Sequence, residues 1–427
     1  MSAAPPLRVA IYADNWYRPA PDGVYADRSL VVFIAGVAAA AEHTILLGQL
    51  DPDLPRAHYR VPDHVNFVGL PSYPSMLSPR APLAMLRSLR RFWRLLGEVD
   101  VVWLLGPHPL CLAFAGLAAL RRKRVALGVR QDFPTYVRTR HPGKRLVHLA
   151  GDLLEGSYRL LSRRAPTVVV GPDLAANFAR AGRLLQISVS LVRDSDIADP
   201  AEAAERAWNG ERTVLSVGRL ETEKNPLLLA DVLARLTPKP PASLTPNPAQ
   251  AAEPPASLTP NPAQAAEPPA SGFGDGWRFQ ICGEGPLEGQ LRERLRELGV
   301  EERAELLGYL PIHGGLMERY RAANAFLHIS WTEGMPQVLL EAFAAGTPVV
   351  ATAVGGVPEA AGDAALLIPP GDADAAAEAL ARIASDPELR RQLVTRGVER
   401  VRGRTLEAES ARVARFLADP DGSVQAS

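Results

Sequence analysis

Glu333 and Glu341 flank the turn Gly334-Met335-Pro336 and the helical run that follows it, which Gly346 stops. Pro336 suits a first helical position, where a missing N–H costs nothing and φ is already set. The first turn of such a helix, around Gln337 and Val338, offers free backbone N–H groups and a positive dipole end, a seat for phosphate. Glu333 sits at its mouth, and Glu341 lies one turn beyond Gln337 on the same face. Hydroxyl acceptors beside an anion seat fit a ligand carrying both phosphate and hydroxyls, such as a sugar nucleotide. A second group stands upstream: Gly218, Arg219 and Lys224 follow an apolar run. Arginine grips a diphosphate through a bidentate fork and lysine as a point charge. A third is Gly283-Glu284-Gly285-Pro286, where missing Cβ atoms let backbone approach a ligand or a neighbouring helix.

These groups need elements to hold them. Thr213–Val217, Trp277–Cys282, Ala325–Ile329 and Thr347–Ala351 read as strands, each bounded by turn residues. The amino-terminal half follows the same plan. Leu7–Tyr12 reads as a strand and Pro21-Asp22-Gly23-Val24 as part of a polar loop. A helix is expected over about residues 26–41, then a strand over His43–Leu47. Two further strands, Asp100–Leu105 and Val125–Val129, lead into loops bearing His108 and Asp132. In open α/β sheets ligands bind beyond the carboxyl ends of strands, which makes His108 and Asp132 candidates for the acceptor side.

The run Glu333-Gly334-Met335-Pro336-Gln337-Val338-Leu339-Leu340-Glu341, followed by Gly355-Gly356-Val357-Pro358-Glu359, resembles the donor site of the GT4-like retaining glycosyltransferases of GT-B fold. Val217-Gly218-Arg219-Leu220, with Lys224-Asn225, resembles their diphosphate-binding loop. The resemblance implies an α/β chain of two Rossmann-like domains facing a cleft. The acceptor side would occupy residues 1–195 and the donor side 196–404, with a final segment, 405–427, crossing back to the first domain. It implies that Arg219, Lys224 and the helix start hold the diphosphate, that Glu333 takes sugar hydroxyls and that Glu341 takes ribose hydroxyls. Gly283 and Gly285 would border the nucleotide and Tyr309 the base, while the loop at Gly23 would approach donor phosphates and acceptor. Asp132 matches the second member of the family's His-Asp pair, with Gln131 where histidine is usual. The implied reaction is transfer of a hexosyl group from a nucleotide-diphosphate sugar to an acceptor hydroxyl with retention, needing no metal or other cofactor. A sugar-nucleotide epimerase or a catalytically silent binding module would use the same architecture. The acceptor is left open among sugars, lipids and small molecules.

A chain of 427 residues exceeds one ordinary core, and its 47% apolar and 22% charged content is that of a globular protein. Residues 1–200 carry 25 basic and 16 acidic side chains, a surplus of +9 that the remainder cancels. Part of that surplus lies in Pro82–Gly97, where Arg87, Arg90, Arg91 and Arg94 repeat at helical spacing and Leu86, Leu89, Trp93 and Leu96 form an apolar face. Packing on the core and attachment to an anionic membrane both fit this helix. No nucleic-acid motif accompanies the charge. Asp194-Ser195-Asp196 sits in a linker-like run and reads as an acidic stretch rather than a metal site. Cys111 and Cys282 read as buried thiols of a cytoplasmic protein. The apolar window 101–120 is broken by Gly106-Pro107 and does not read as a membrane span. Pro240–Glu253 recurs unchanged as Pro254–Glu267, a proline-rich insertion placed within residues 238–275.

Overall fold

The structure is a computed structural model, which describes residues 6–419 apart from 55–56, 74–77, 142 and 238–275. The repeated segment therefore lies outside the described residues. Two sheets organise the chain. The first holds β1 (Arg8–Ala20), β2 (Gly23–Ala26), β3 (His43–Leu50), β4 (Tyr59–Arg60), β5 (Asn66–Pro71), β6 (Val101–Gly106), β7 (Arg124–Val129), β8 (Thr167–Val170) and β9 (Leu184–Ile187). β5, β3, β1, β6, β7, β8 and β9 run parallel in that order, and β2 and β4 add an antiparallel flap on the distal half of β1. The second sheet is wholly parallel, ordered β12-β11-β10-β13-β14-β15. Its strands are β10 (Arg212–Val217), β11 (Trp277–Cys282), β12 (Ala304–Gly308), β13 (Ala325–His328), β14 (Val349–Thr352) and β15 (Ala365–Ile368). Parallel strands buried on both faces read as unbroken apolar runs, as in Val-Val-Trp-Leu-Leu of β6.

Three expectations are corrected here. The polar stretch after Tyr12 is not a loop: β1 continues to Ala20 and hairpins into β2. Its alternating burial keeps Tyr17 inside, and Gly23 takes the turn at a φ of +145° that favours glycine. The following helix is shorter than expected, Leu30–Ala39. The basic helix, Ala81–Leu95, has a different phase. It buries Ala84, Ser88, Phe92 and Leu95, whereas Leu86, expected on the packed face, is 63% exposed. Phe92 stacks on Phe114, which fixes the rotation. The terminal helix Leu406–Ala418 packs on Leu30–Ala39, with Leu406, Val413 and Leu417 in the same core cluster as Val9 and Ile11 of β1. Both cysteines are free and buried.

Candidate functional site

The carboxyl ends of β10, β11 and β13 converge on one pocket, lined by Gly218, Arg219, Lys224, His328 and Ser330. Lys224 ends a short turn after β10, Thr222–Lys224, and Asn225 then takes a left-handed conformation at φ 51° that directs the chain into the next helix. The Lys224 Nζ donates to Glu333 Oε1 at 2.5 Å. Ser330 Oγ donates to the same oxygen at 2.8 Å, and His328 Nε2 lies 3.1 Å from it without hydrogen-bond alignment. Burial pushes the Glu333 carboxyl up, but the His328 imidazole and the Lys224 ammonium outweigh it and hold it at about 2. Glu333 is therefore an anion at any working pH and cannot serve as a proton donor.

Arg219 is more open: it pairs with Glu221 and, at 3.0 Å, with Glu223. Its fork is parked on two exposed carboxylates that an incoming diphosphate can displace, because exposed pairs are worth little. The helix Gln337–Ala344 begins one residue later than expected. Pro336 is its N-cap, at φ −77° and ψ 100°, and supplies no side-chain acceptor. The first-turn N–H groups at Gln337 and Val338 thus stay open to a ligand. Glycines hold the Glu333 loop: a Cβ at Gly355 would meet the Glu333 carbonyl at 1.9 Å, and one at Gly356 the Gly334 carbonyl at 1.9 Å. Gly283 and Gly285 act the same way. A Cβ at Gly283 would meet the Gly218 carbonyl at 1.8 Å, and one at Gly285 the Leu220 carbonyl at 2.4 Å. Their small size thus serves the approach of the Arg219 loop, where a ligand or a neighbouring helix was expected.

Glu341 lies deeper, 5% exposed, and accepts from the Tyr320 hydroxyl at 2.9 Å. Burial raises its carboxyl to about 7, with the Tyr320 bond opposing and the Asp196 charge adding to the rise. Tyr309 reaches across the cleft. It stacks on His58 at 4.5 Å and donates to the Tyr59 hydroxyl at 2.5 Å. Met335 faces the first domain, with its Cε 3.8 Å from where a Cβ would stand on Gly171.

The first-domain candidates divide. His108 is buried; its Nδ1 accepts from the Leu110 N–H at 3.2 Å and caps the helix Pro109–Leu120. Its Nε2 lies 3.4 Å from the Tyr73 hydroxyl, and burial lowers its pKa, opposed by Asp14. Asp132 is exposed and caps the helix Phe133–Arg140 through the Thr135 N–H at 3.0 Å. Gly23 sits beside Arg60 of β4, at the hairpin turn. Asp196 of the acidic triplet accepts from the Arg193 N–H at 2.8 Å and lies 2.9 Å from His313. His328 and Ser330, which fix Glu333, escaped the sequence reading. Their signal is the period-two placement of two polar residues at the end of an apolar strand.

Two Rossmann-like domains with a pocket at the strand ends define a GT-B protein. Residues 272–400 match the family described as Glycosyl transferases group 1. An exopolysaccharide phosphotransferase of Streptomyces coelicolor is 42% identical over 119 residues, 27% of this chain and 12% of the relative. A D-inositol 3-phosphate glycosyltransferase of Kribbella flavida is 42% identical over 113 residues, 26% of each chain. The chain thus spans only a fraction of the length of the curated relatives it matches. The HepE protein of Anabaena, solved in complex with UDP and glucose, superposes with a TM-score of 0.64 at 14% identity, over 97% of this chain and all of its own.

Proposed function

We propose that the chain is a glycosyltransferase that moves a sugar from a nucleotide-diphosphate donor to an acceptor hydroxyl, with retention, as the GT4-like resemblance implies. One observation carries this reading: the Lys224–Glu333 pair stands beside an uncapped helix start, with Arg219 on the adjoining loop. Cations and N–H groups stabilise the charge growing on a leaving diphosphate. Glu333, ionised and fixed by Ser330, accepts sugar hydroxyls. The Gly218–Arg219 loop and the Glu333–Gln337 segment bracket the donor, and Asp132 and His108 stand on the acceptor side. The family's chemistry needs no enzymic nucleophile, because departure and attack occur on one face and the donor phosphate takes the acceptor proton. HepE's complex with UDP supports a uridine nucleotide. Thermal-shift measurements with UDP, GDP, ADP and TDP sugars test the donor site. One nucleotide should stabilise the wild type by several degrees, and the shift should vanish in Lys224→Ala; no shift from any nucleotide would remove the reading. An epimerase would convert the donor without an acceptor, and a silent module would bind it without turnover.

We further propose that the first domain rests on an anionic membrane. No described helix is long and apolar enough to cross one. The helices Ala81–Leu95 and Arg145–Ser162 flank Pro109–Leu120 on one face of the first sheet. Their outer sides expose Leu83, Leu86, Leu146, Leu149, Leu153 and Leu160, between 52% and 83% accessible. Arg87, Arg90, Arg91 and Arg94 stand among them, and each basic side chain near an anionic surface contributes about 1 kcal/mol. Reversing all four to glutamate should weaken binding to phosphatidylglycerol vesicles by at least about a hundredfold in sedimentation. Unchanged binding would remove the membrane reading.

A further inference from the structure

In the first sheet, side-chain polar atoms of Asn15, Tyr17 and Arg130 are shielded from solvent without a hydrogen-bond partner. Asn15 is 1% exposed, and both polar atoms of its side chain lack a partner. The Tyr17 hydroxyl lies near that amide but completes no well-aligned hydrogen bond. Arg130, the residue after β7, is half-buried, and its Nε is shielded from solvent and unpaired. Among the described residues no carboxylate lies within 4.0 Å of its guanidinium. Its charged neighbours are Arg28 and, with opposite sign, Asp14. Of the nearby acids, Asp14 accepts from Gln49 at 2.9 Å, and Asp27 lies 3.6 Å from Arg28 through Oδ2 while its Oδ1 is buried without a partner.

An arginine cannot discard its charge, so shielding part of its guanidinium without a partner is costly. Native chains satisfy nearly all such groups, so each exception calls for a partner, and a bound ligand is one that can supply it. The position is apt. Val129 pairs with Val169 across β7 and β8, which sets Arg130 level with Val170, one residue before Gly171. Gly171 is the residue that the donor-loop Met335 approaches. Gly106 pairs with Val129 on the other side, so Asn15, two residues past Ala13 and its partner Leu105, lies at the same level.

We propose that Arg130, with Asn15 and Tyr17 beside it, forms an oxyanion subsite for the acceptor, which therefore carries a phosphate or a carboxylate. This rests on the glycosyltransferase reading. Asn15 offers an N–H donor and Tyr17 an O–H donor to the same anion, and Arg130 a charged fork.

The test uses the full chain with glucose 6-phosphate, glucuronate, inorganic phosphate and glucose as probes, read by thermal shift and calorimetry. The wild type should bind glucose 6-phosphate or glucuronate at least about tenfold tighter than glucose, and the better of the two names the anion. Inorganic phosphate should compete with it. Arg130→Met should lose the preference to within about twofold. Arg130→Lys keeps the charge without the fork and should retain part of the preference. Lys224→Ala, run in parallel, should keep the sugar-anion preference while losing the nucleotide shift, so the two readings fail separately. A wild type without preference for the anionic sugars would overturn the proposal. So would Arg130→Met that keeps the preference.

Discussion

On the proposed reading, Lys224→Ala should lower donor turnover by about 10²–10³-fold, the cost of removing one preorganised group from a developing oxyanion. Lys224 Nζ has three donors, and only one is committed to Glu333 in the ligand-free protein. On the proposed reading the others are available to the diphosphate, and one ammonium would tie the sugar-binding carboxylate to the leaving group. The same substitution leaves Glu333 buried and ionised. Removing one partner of a fully buried pair costs about 3–5 kcal/mol. Here the loss should be nearer 2 kcal/mol, because Ser330 and His328 remain against the carboxylate. The two effects separate in a cycle. Lys224→Ala combined with Glu333→Gln should regain most of the lost stability, since no uncompensated charge is left, and should regain no turnover. Denaturant melts and nucleoside-diphosphate release from the selected sugar nucleotide read the two quantities. If the double variant recovered turnover along with stability, Lys224 would be a structural counter-ion and the charge-stabilising role would fall.

The α/β class and the two contiguous motifs of the donor side were legible because each lies on a single strand–loop–helix unit. There, apolar runs, turn residues and charges follow one another along the chain. Arg219, Lys224, Glu333 and the Gln337 helix start are read from such units. What was not legible depends on neighbours that the chain order does not reveal. Gly283 lies in contact with Gly218 because β11 pairs with β10, and the sheet order is a tertiary fact. The distal half of β1 was mistaken for a loop because its polar residues alternate against a flap, β2 and β4, that forms only later in the chain. The basic helix misled through its leucines: four were available, and the aromatic stack at Phe92 and Phe114 chose a face that leaves Leu83 and Leu86 outside. Asp132 and His108 were read from their places at strand ends; that both also cap the helices that begin there depends on local geometry.

Glu341→Gln should stabilise the ligand-free protein by about 3 kcal/mol at pH 8 and leave it nearly unchanged at pH 5. The sign follows from the direction of the shift. Burial holds the folded-state carboxyl at about 7, above the ordinary value of 4.5. Between those values the folded protein binds more protons than the unfolded chain, so stability falls as pH rises through that window and levels off above 7. Glutamine mimics the neutral acid and still accepts from the Tyr320 hydroxyl, so the variant escapes the decline. On the proposed reading the cost is offset in function, because an ionised carboxylate accepts two ribose hydroxyls better than an amide does. Donor binding should then draw the proton off. Nucleotide affinity of the wild type should rise about tenfold from pH 6 to pH 8, and about one proton should be released on binding at pH 6. Calorimetry in two buffers of different ionisation enthalpy counts that proton, and chemical denaturation at the two pH values measures the stability difference. In Glu341→Gln both pH dependences should flatten and affinity at pH 8 should drop. A wild-type affinity that stays level across this range, with Glu341→Gln weaker by one constant factor, would mean that Glu341 acts through packing alone and accepts no ribose hydroxyl.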